Sequence, residues 1–259
     1  AKFFFDSLKK NKQKLSADLI CTFNKNFADE YKKKISTKVL VLGSFKNNLN
    51  KITKYKKKRS SILLVSSGYP EKKYFSTYNE SYKYPSNIFY KNDKILIKSV
   101  VSFCRANNIE LEITPKNKDD EREFLFFKKI IDNFDFKYHK NNYANMKTYQ
   151  IADQVNMTVC SHSTFGFENL SRGNKTAIFN NKKKVTKGVW DIFWYLNLKS
   201  RGFFWTDSSN EVEIKKLLHT IYFINSYKWK KNTKSISNKM MYYDKDKKKL
   251  HKLQKMINA

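Results

Sequence analysis

Ser163, Thr164, Gly166 and Glu168 fall within a few residues of one another in VNMTVCSHSTFGFENLSRGNKTAIFN (155–180). The stretch reads as strand, tight turn, helix, turn and strand, with Gly173 as the helix C-cap. A helix that starts on two hydroxyls offers backbone amides and the positive end of its dipole, a combination suited to a phosphate. Gly166 in the first turn lets a ligand approach the backbone, and the Glu168 carboxylate can accept hydrogen bonds from sugar hydroxyls. Plain capping fits the same residues, with Ser163 or Thr164 at the N-cap and Glu168 as the reciprocal partner. Local chemistry leaves both readings open.

Such a turn must be held by the elements around it. SADLICTFN (16–24) reads as a strand, KNFADEYKKKI (25–35) as a helix and KVLVLGSF (38–45) as a strand. The polar, basic run 46–60 reads as a linker with a short helix. An alternation follows: strand 60–67, a tyrosine-rich loop 71–93, helix 94–108, strand 109–116, helix 119–134, strand 136–139, helix 145–154, strand 157–161, helix 165–173 and strand 175–180. Beyond lie a Trp-rich region (188–206), helix 211–225 and a basic helical tail, in which 238–258 reads as one amphipathic helix. Alternating strands and helices predict an α/β fold, a Rossmann-like parallel sheet with helices on both faces. In such sheets ligands bind beyond the carboxyl ends of the strands, which selects the turns 43–48, 66–70, 114–117 and 161–168.

Composition narrows the function classes. The chain has 259 residues, 40% hydrophobic and 16% aromatic, enough for a core of one large or two modest domains. No apolar run is long enough to span a bilayer, and the opening AKFFFDSLKKNKQK lacks the order of a secretory leader. The first residue is Ala, as in a fragment or processed product. Cys21, Cys104 and Cys160 form no paired spacing and read as reduced cysteines of a cytosolic protein. A formal charge of +30 invites a polyanionic partner. Of the 53 basic residues, however, only Arg59, Arg105, Arg122, Arg172 and Arg201 are arginines. Nucleic-acid readers lean on Arg, and the lysines here are dispersed along the chain. Lysine rich alongside Asn, Ile, Tyr and Phe, with few Gly and Pro, also fits A/T-rich codon usage.

The chain holds no P-loop, no Gly-x-Ser-x-Gly and no Ser-His-Asp arrangement, and His139, His162, His219 and His251 have no metal-ligand spacing. Asp119-Asp120 reads as a helix N-terminal charge pair.

The run IADQVNMTVCSHSTFGFENLSRGNKTAIFN resembles the donor-side motif of GT-B-type transferases that build bacterial surface carbohydrate, such as capsule and lipopolysaccharide enzymes. Ser163-Thr164, Gly166-Phe167-Glu168 and Arg172-Gly173 stand in the family's order. RGFFWT, with Gly202, Phe204 and Trp205, matches a later Gly-x-Phe-Trp stretch, and GSFKNN (43–48) resembles the exit of the family's first domain. The resemblance covers about residues 16–225 and is moderately specific. It implies that residues 1–45 are the last strand–helix–strand of an acceptor-binding domain and 46–59 the linker. Residues 60–225 would then form the nucleotide-sugar donor-binding domain, and 226–259 a basic tail.

The resemblance further implies that Ser163 and Thr164 hold the donor phosphate, that Glu168 meets the ribose or sugar, and that Ser67 and Gly68 line the cleft. Thr114-Pro115-Lys116 falls where relatives have His-Pro; Thr114 replaces the His, and Lys116 can offer a point charge to phosphate or remain a solvated lysine. The implied partners are a nucleotide-sugar donor and a saccharide or glycolipid acceptor, with no further cofactor and no nucleic acid. No spaced carboxylate pair occurs where the family would hold a metal, so no essential divalent metal is expected. The general base is not assigned: His162 beside the motif is a candidate, but a lone histidine at a strand end reads better as structural or incidental. Trp190, Trp194 and Trp205 could stack on a sugar but fit packing better. The tail could dock across the domains or touch an anionic inner membrane. Two other classes stay open: a nucleotide-sugar epimerase of the same fold, and a basic nucleic-acid-binding protein.

Overall fold

The structure, a computed structural model, describes residues 15–53, 58–70, 74–76, 83–116, 121–140, 147–188, 191–196 and 198–258. Asp119-Asp120 and Trp190 lie outside the described residues.

The first unit is a strand–helix–strand: β1 (Leu15–Thr22), α1 (Lys25–Lys32) and β2 (Ile35–Val41), with β1 and β2 paired in parallel. Asn24 caps α1, its side chain accepting from the Phe27 amide. The short helix α2 (Phe45–Leu49) follows, capped by Ser44.

The second unit is a six-stranded, all-parallel sheet built from β3 (Arg59–Val65), β6 (Glu110–Thr114), β7 (Phe136–Tyr138), β8 (Val155–Ser161), β9 (Thr176–Phe179) and β10 (Trp205–Thr206). Their spatial order is β10-β9-β8-β3-β6-β7. The connecting helices are α4 (Lys91–Ala106), α5 (Glu121–Ile131), α6 (Lys147–Gln154) and α7 (Thr164–Ser171), with α8 (Glu211–Phe223) after β10. The central strand β3 reads ILLV without alternation because both of its faces are covered. Ile62 and Leu64 enter the larger core with Leu96 and Val100 of α4 and Leu218 of α8. Leu63 and Val65 point the other way, toward Ala152 of α6 and Cys160. The expected α/β sheet with helices on both faces is therefore present.

Two segments differ from the sequence reading. The tyrosine-rich stretch holds a small antiparallel hairpin, β4 (Tyr74–Ser76) with β5 (Lys83–Pro85), then the short helix α3 (Ser86–Phe89). Helix α4 also starts at Lys91, with Asp93 in its first turn, where the helix dipole favours an acid. The tail is two helices, α9 (Ser226–Met240) and α10 (Lys248–Ile257), not one basic helix. Its break is the crossing back to the first unit. The Asn24 side-chain amide donates to the Met240 carbonyl at 2.9 Å, the Tyr242 amide to the Phe23 carbonyl at 2.9 Å, and the Asp244 amide to Asn48 Oδ1 at 2.9 Å.

Gly43 makes this crossing feasible. Its φ is 81°, and a Cβ there would collide with the Tyr242 carbonyl. Gly43→Ala should therefore loosen the strap over Met241–Lys247 and destabilise the chain by about 1–3 kcal/mol. Limited proteolysis checks this: new cleavage within 241–247 is expected, and an unchanged digestion pattern contradicts it.

Candidate functional site

The chain runs from β3 outward through β6 to β7, then returns to the other side of β3 for β8, β9 and β10. The direction reverses between β3 and β8, so the crevice beyond their carboxyl ends is the topological switch point. The exits that meet there are Ser66–Gly68 from β3, Pro115–Lys116 from β6, Ser161–Thr164 from β8 and Asn180–Lys182 from β9.

Ser163 caps α7 as expected, its Oγ accepting from the Phe165 amide at 3.3 Å, and it is half-buried while Thr164 is exposed. Glu168 does not close a capping box. It lies beyond the third helical position and accepts from the Tyr149 hydroxyl at 2.7 Å. Burial raises its pKa, against hydrogen bonds from Ser44 and Tyr149 and the charges of Lys46 and Arg172. Glu168 thus stands between the exit of β2 and α6, on the side of the cleft facing the first unit.

Gly166 turns toward the sheet, not toward the crevice. A Cβ there would lie 3.1 Å from the Cys160 Cβ and 3.5 Å from Ile178, so the glycine sets close packing of α7 on β8 and β9.

On the β3 and β6 side, the Gly68 amide donates to Ser66 Oγ at 3.0 Å, and Ser66 Oγ in turn bonds Glu123. The exposed Lys116 reaches the Ser67 carbonyl at 3.4 Å, and its amide donates to Glu123 Oε1 at 3.0 Å. Thr114 is buried, and its carbonyl accepts from the Ser66 amide at 3.0 Å, so it ties two strand ends together.

Sequence reasoning missed a polar cluster at the same edge. Lys182 is only 2% exposed, yet its Nζ lies 3.1 Å from Asp93 Oδ2 and 3.3 Å from Ser67 Oγ, above the Tyr90 ring at 4.7 Å. Burial lowers the Lys182 pKa while Asp93 opposes the shift and Lys116 adds to it. Ser161 Oγ joins Asp93 Oδ1 at 3.1 Å and Asn181 Oδ1 at 2.8 Å. The available signal was NNK directly after the apolar run TAIF, where the strand-exit rule applies equally.

His162 sits beside this cluster with φ 51°, a left-handed conformation that strains a non-glycine residue and is concentrated at functional turns. The aromatics pack. Trp205 lies over Gly202 and bonds the Lys199 carbonyl at 3.1 Å. Trp194 stacks edge-on against Phe27 of the first unit at 5.8 Å. Among the described residues no cluster of His, Cys, Asp and Glu could hold a metal ion, and no helix is long and apolar enough to cross a membrane.

Strand-end hydroxyls, backbone amides and two lysines at a switch point are groups suited to a phosphate. A family profile described as "putative O-antigen biosynthesis protein" matches residues 2–258. No curated protein matches the chain in sequence. Among solved structures, accessory secretory protein 1, 2 and 3 of Streptococcus pneumoniae aligns at a TM-score of 0.50 and 14% identity, over 93% of this chain and 43% of that one. The wall teichoic acid polymerase TagF aligns at 0.49 and 10%, over 93% and 60%, and MurG of Acinetobacter baumannii at 0.45 and 9%, over 94% and 61%. At these identities the likeness is one of fold alone, and the chain spans about two fifths to three fifths of these structures' lengths. The fold is the parallel α/β arrangement, with helices on both faces, that the sequence led us to expect. With nearly its whole length matched, the chain belongs to this family of O-antigen biosynthesis proteins.

Proposed function

We propose that the chain is the donor-binding part of a glycosyltransferase that moves a sugar from a nucleotide-sugar to a bacterial surface polysaccharide or glycolipid, of the lipopolysaccharide O-antigen or capsule kind. The observation that carries the reading is that Lys116 and Lys182 both reach Ser67 at the exit of β3, next to the exit of β8 that leads into the Ser163–Thr164 helix start. Glycosyl transfer needs stabilisation of the departing nucleotide phosphate. The hydroxyls of Ser163 and Thr164 and the charges of Lys116 and Lys182 supply it without a divalent metal. Gly68 leaves room at the β3 exit, and Glu168 forms the wall where the transferred sugar meets the first unit. The acceptor approaches from the first-unit side. On this reading residues 1–45 belong to the acceptor half and 60–225 to the donor half. The protein works in the cytoplasm, with its basic tail against the inner membrane face where glycolipid acceptors reside.

A thermal-shift panel of UDP, CMP, CDP, GDP and their sugars tests the reading. A nucleotide at one hundred times its dissociation constant adds about 2.7 kcal/mol, or roughly 5–10 °C in a chain of this size. One nucleotide should give that shift, and Ser163→Ala/Thr164→Ala should abolish it. No shift with any nucleotide, alongside tight, salt-sensitive binding of a DNA oligomer, contradicts the reading.

A further inference from the structure

A second cavity lies at the opposite, amino-terminal edge of the sheet. It measures about 560 Å³ and is framed by the linker (Ile52, Thr53, Lys58), the end of α7 and start of β9 (Ser171–Lys175), the start of α9 (Ser226, Trp229, Lys230) and the tail crossing (Tyr243, Lys245). That size falls within the range of small-molecule sites. The eight residues of α7 separate it from Ser163 by about 12 Å of helix.

Its lining is charged in one sense. Lys58, Arg172, Lys175, Lys230 and Lys245 face a single carboxylate, Asp153. Asp153 is already taken, because Arg172 holds both of its oxygens at 3.2 and 2.6 Å. The lysines are positioned by neutral groups: Lys58 Nζ donates to Asn174 Oδ1 at 2.9 Å, and Lys175 Nζ to the Tyr222 carbonyl at 2.6 Å. Burial drives the Lys58 amine down to about 8, with Asp153 opposing and Lys175 and Lys230 adding their repulsion. An anion in the cavity would relieve that repulsion. The positive end of the fifteen-residue helix α9 adds to the same field.

We propose that this cavity is a second anion site, which takes a phosphate- or pyrophosphate-bearing ligand and is distinct from the crevice at Ser163–Thr164. The cation excess matches a multiply charged anion, and lysines serve phosphate as point charges. The ligand is either a soluble phosphate compound or the phosphorylated head of a lipid.

Calorimetric titration with inorganic pyrophosphate tests it, using the full chain carrying Ser163→Ala/Thr164→Ala so that the crevice is weakened. Binding of one pyrophosphate per chain is expected. It should weaken at least about tenfold when Lys230→Gln/Lys245→Gln is added. Both lysines are exposed, so folding does not hinge on them, and an unchanged melting point verifies this. Lys252→Gln/Lys255→Gln on α10 removes the same charge elsewhere and should leave binding unchanged. Equal weakening by both pairs, or none by either, overturns the proposal and reduces it to the general basicity of the surface. Phosphatidylglycerol vesicles then separate the sources. Sedimentation with vesicles that pyrophosphate reverses, and that Lys230→Gln/Lys245→Gln weakens, identifies a lipid head; absence of that competition identifies a soluble phosphate.

Discussion

Arg172→Ala is expected to lower the stability of the folded chain by about 3–5 kcal/mol, the cost of leaving one member of a buried ion pair alone. The Arg172 side chain is wholly buried, and its guanidinium makes five hydrogen bonds. Two go to Asp153, at 3.2 and 2.6 Å, and three to Asn47 Oδ1, the Asn50 carbonyl and the Lys51 carbonyl, at 3.2, 2.9 and 3.2 Å. These use every N–H the group owns. The rings of Tyr149 and Tyr243 flank it at 5.3 and 5.8 Å. One side chain therefore joins α7, α6, the segment after α2 and the tail crossing, so the loss should propagate from the helix that carries Ser163 to the first unit. Arg172→Lys should recover little, because an ammonium has three donors and no planar fork. Urea unfolding checks both; a loss below about 1 kcal/mol in Arg172→Ala would show that Arg172 does not clamp these elements together.

Glu112→Ala should cost a similar amount. Glu112 lies in the middle of β6 with a fully buried side chain, 2.8 Å from Ser61 Oγ, 3.0 Å from Arg59 Nη2 and 2.7 Å from His139 Nε2. It pins β3, β6 and the residue after β7 in register. Burial alone would raise its pKa, but the His139 and Ser61 hydrogen bonds and the Arg59 charge outweigh burial and hold it below the ordinary value. A carboxylate so depressed stabilises the fold above the unfolded glutamate pKa of about 4.3, and that stability is lost as pH falls through the lower folded value. Stability measured between neutral pH and about pH 3 should therefore show an acid limb that flattens in Glu112→Gln. An unchanged limb in the variant would assign acid sensitivity to other carboxylates.

The strand–turn–helix at 155–180 was legible in the sequence because its signals are local: an apolar run, serine at the N-cap, glycine after the last turn. The alternation that predicts the parallel sheet is local too. What could not be read was spatial order. Nothing in the residues of β8 says that it returns to the far side of β3, yet that return creates the switch point. Asp93 and Lys182 lie far apart in sequence, so their pairing carried no local mark, and a lysine among so many lysines draws no notice. Gly166 was legible as necessary but not as facing Cys160, because a glycine that admits a ligand and one that admits a strand look alike in sequence. The same holds for Arg172, whose acceptors in the linker are mostly backbone carbonyls. β10 is two residues long, too short for any period to register.

On the proposed reading, a donor phosphate rests on the start of α7 at the β3/β8 crevice. A crystal structure of the chain with the nucleotide that gives the largest thermal shift tests it most directly. A phosphate is expected within about 3 Å of the Ser163 or Thr164 hydroxyl or of the Thr164 amide, with Lys116 or Lys182 on its other side. A phosphate bound only in the amino-edge cavity, or a nucleotide that leaves the crevice at Ser67 and Ser163 unoccupied, would contradict it.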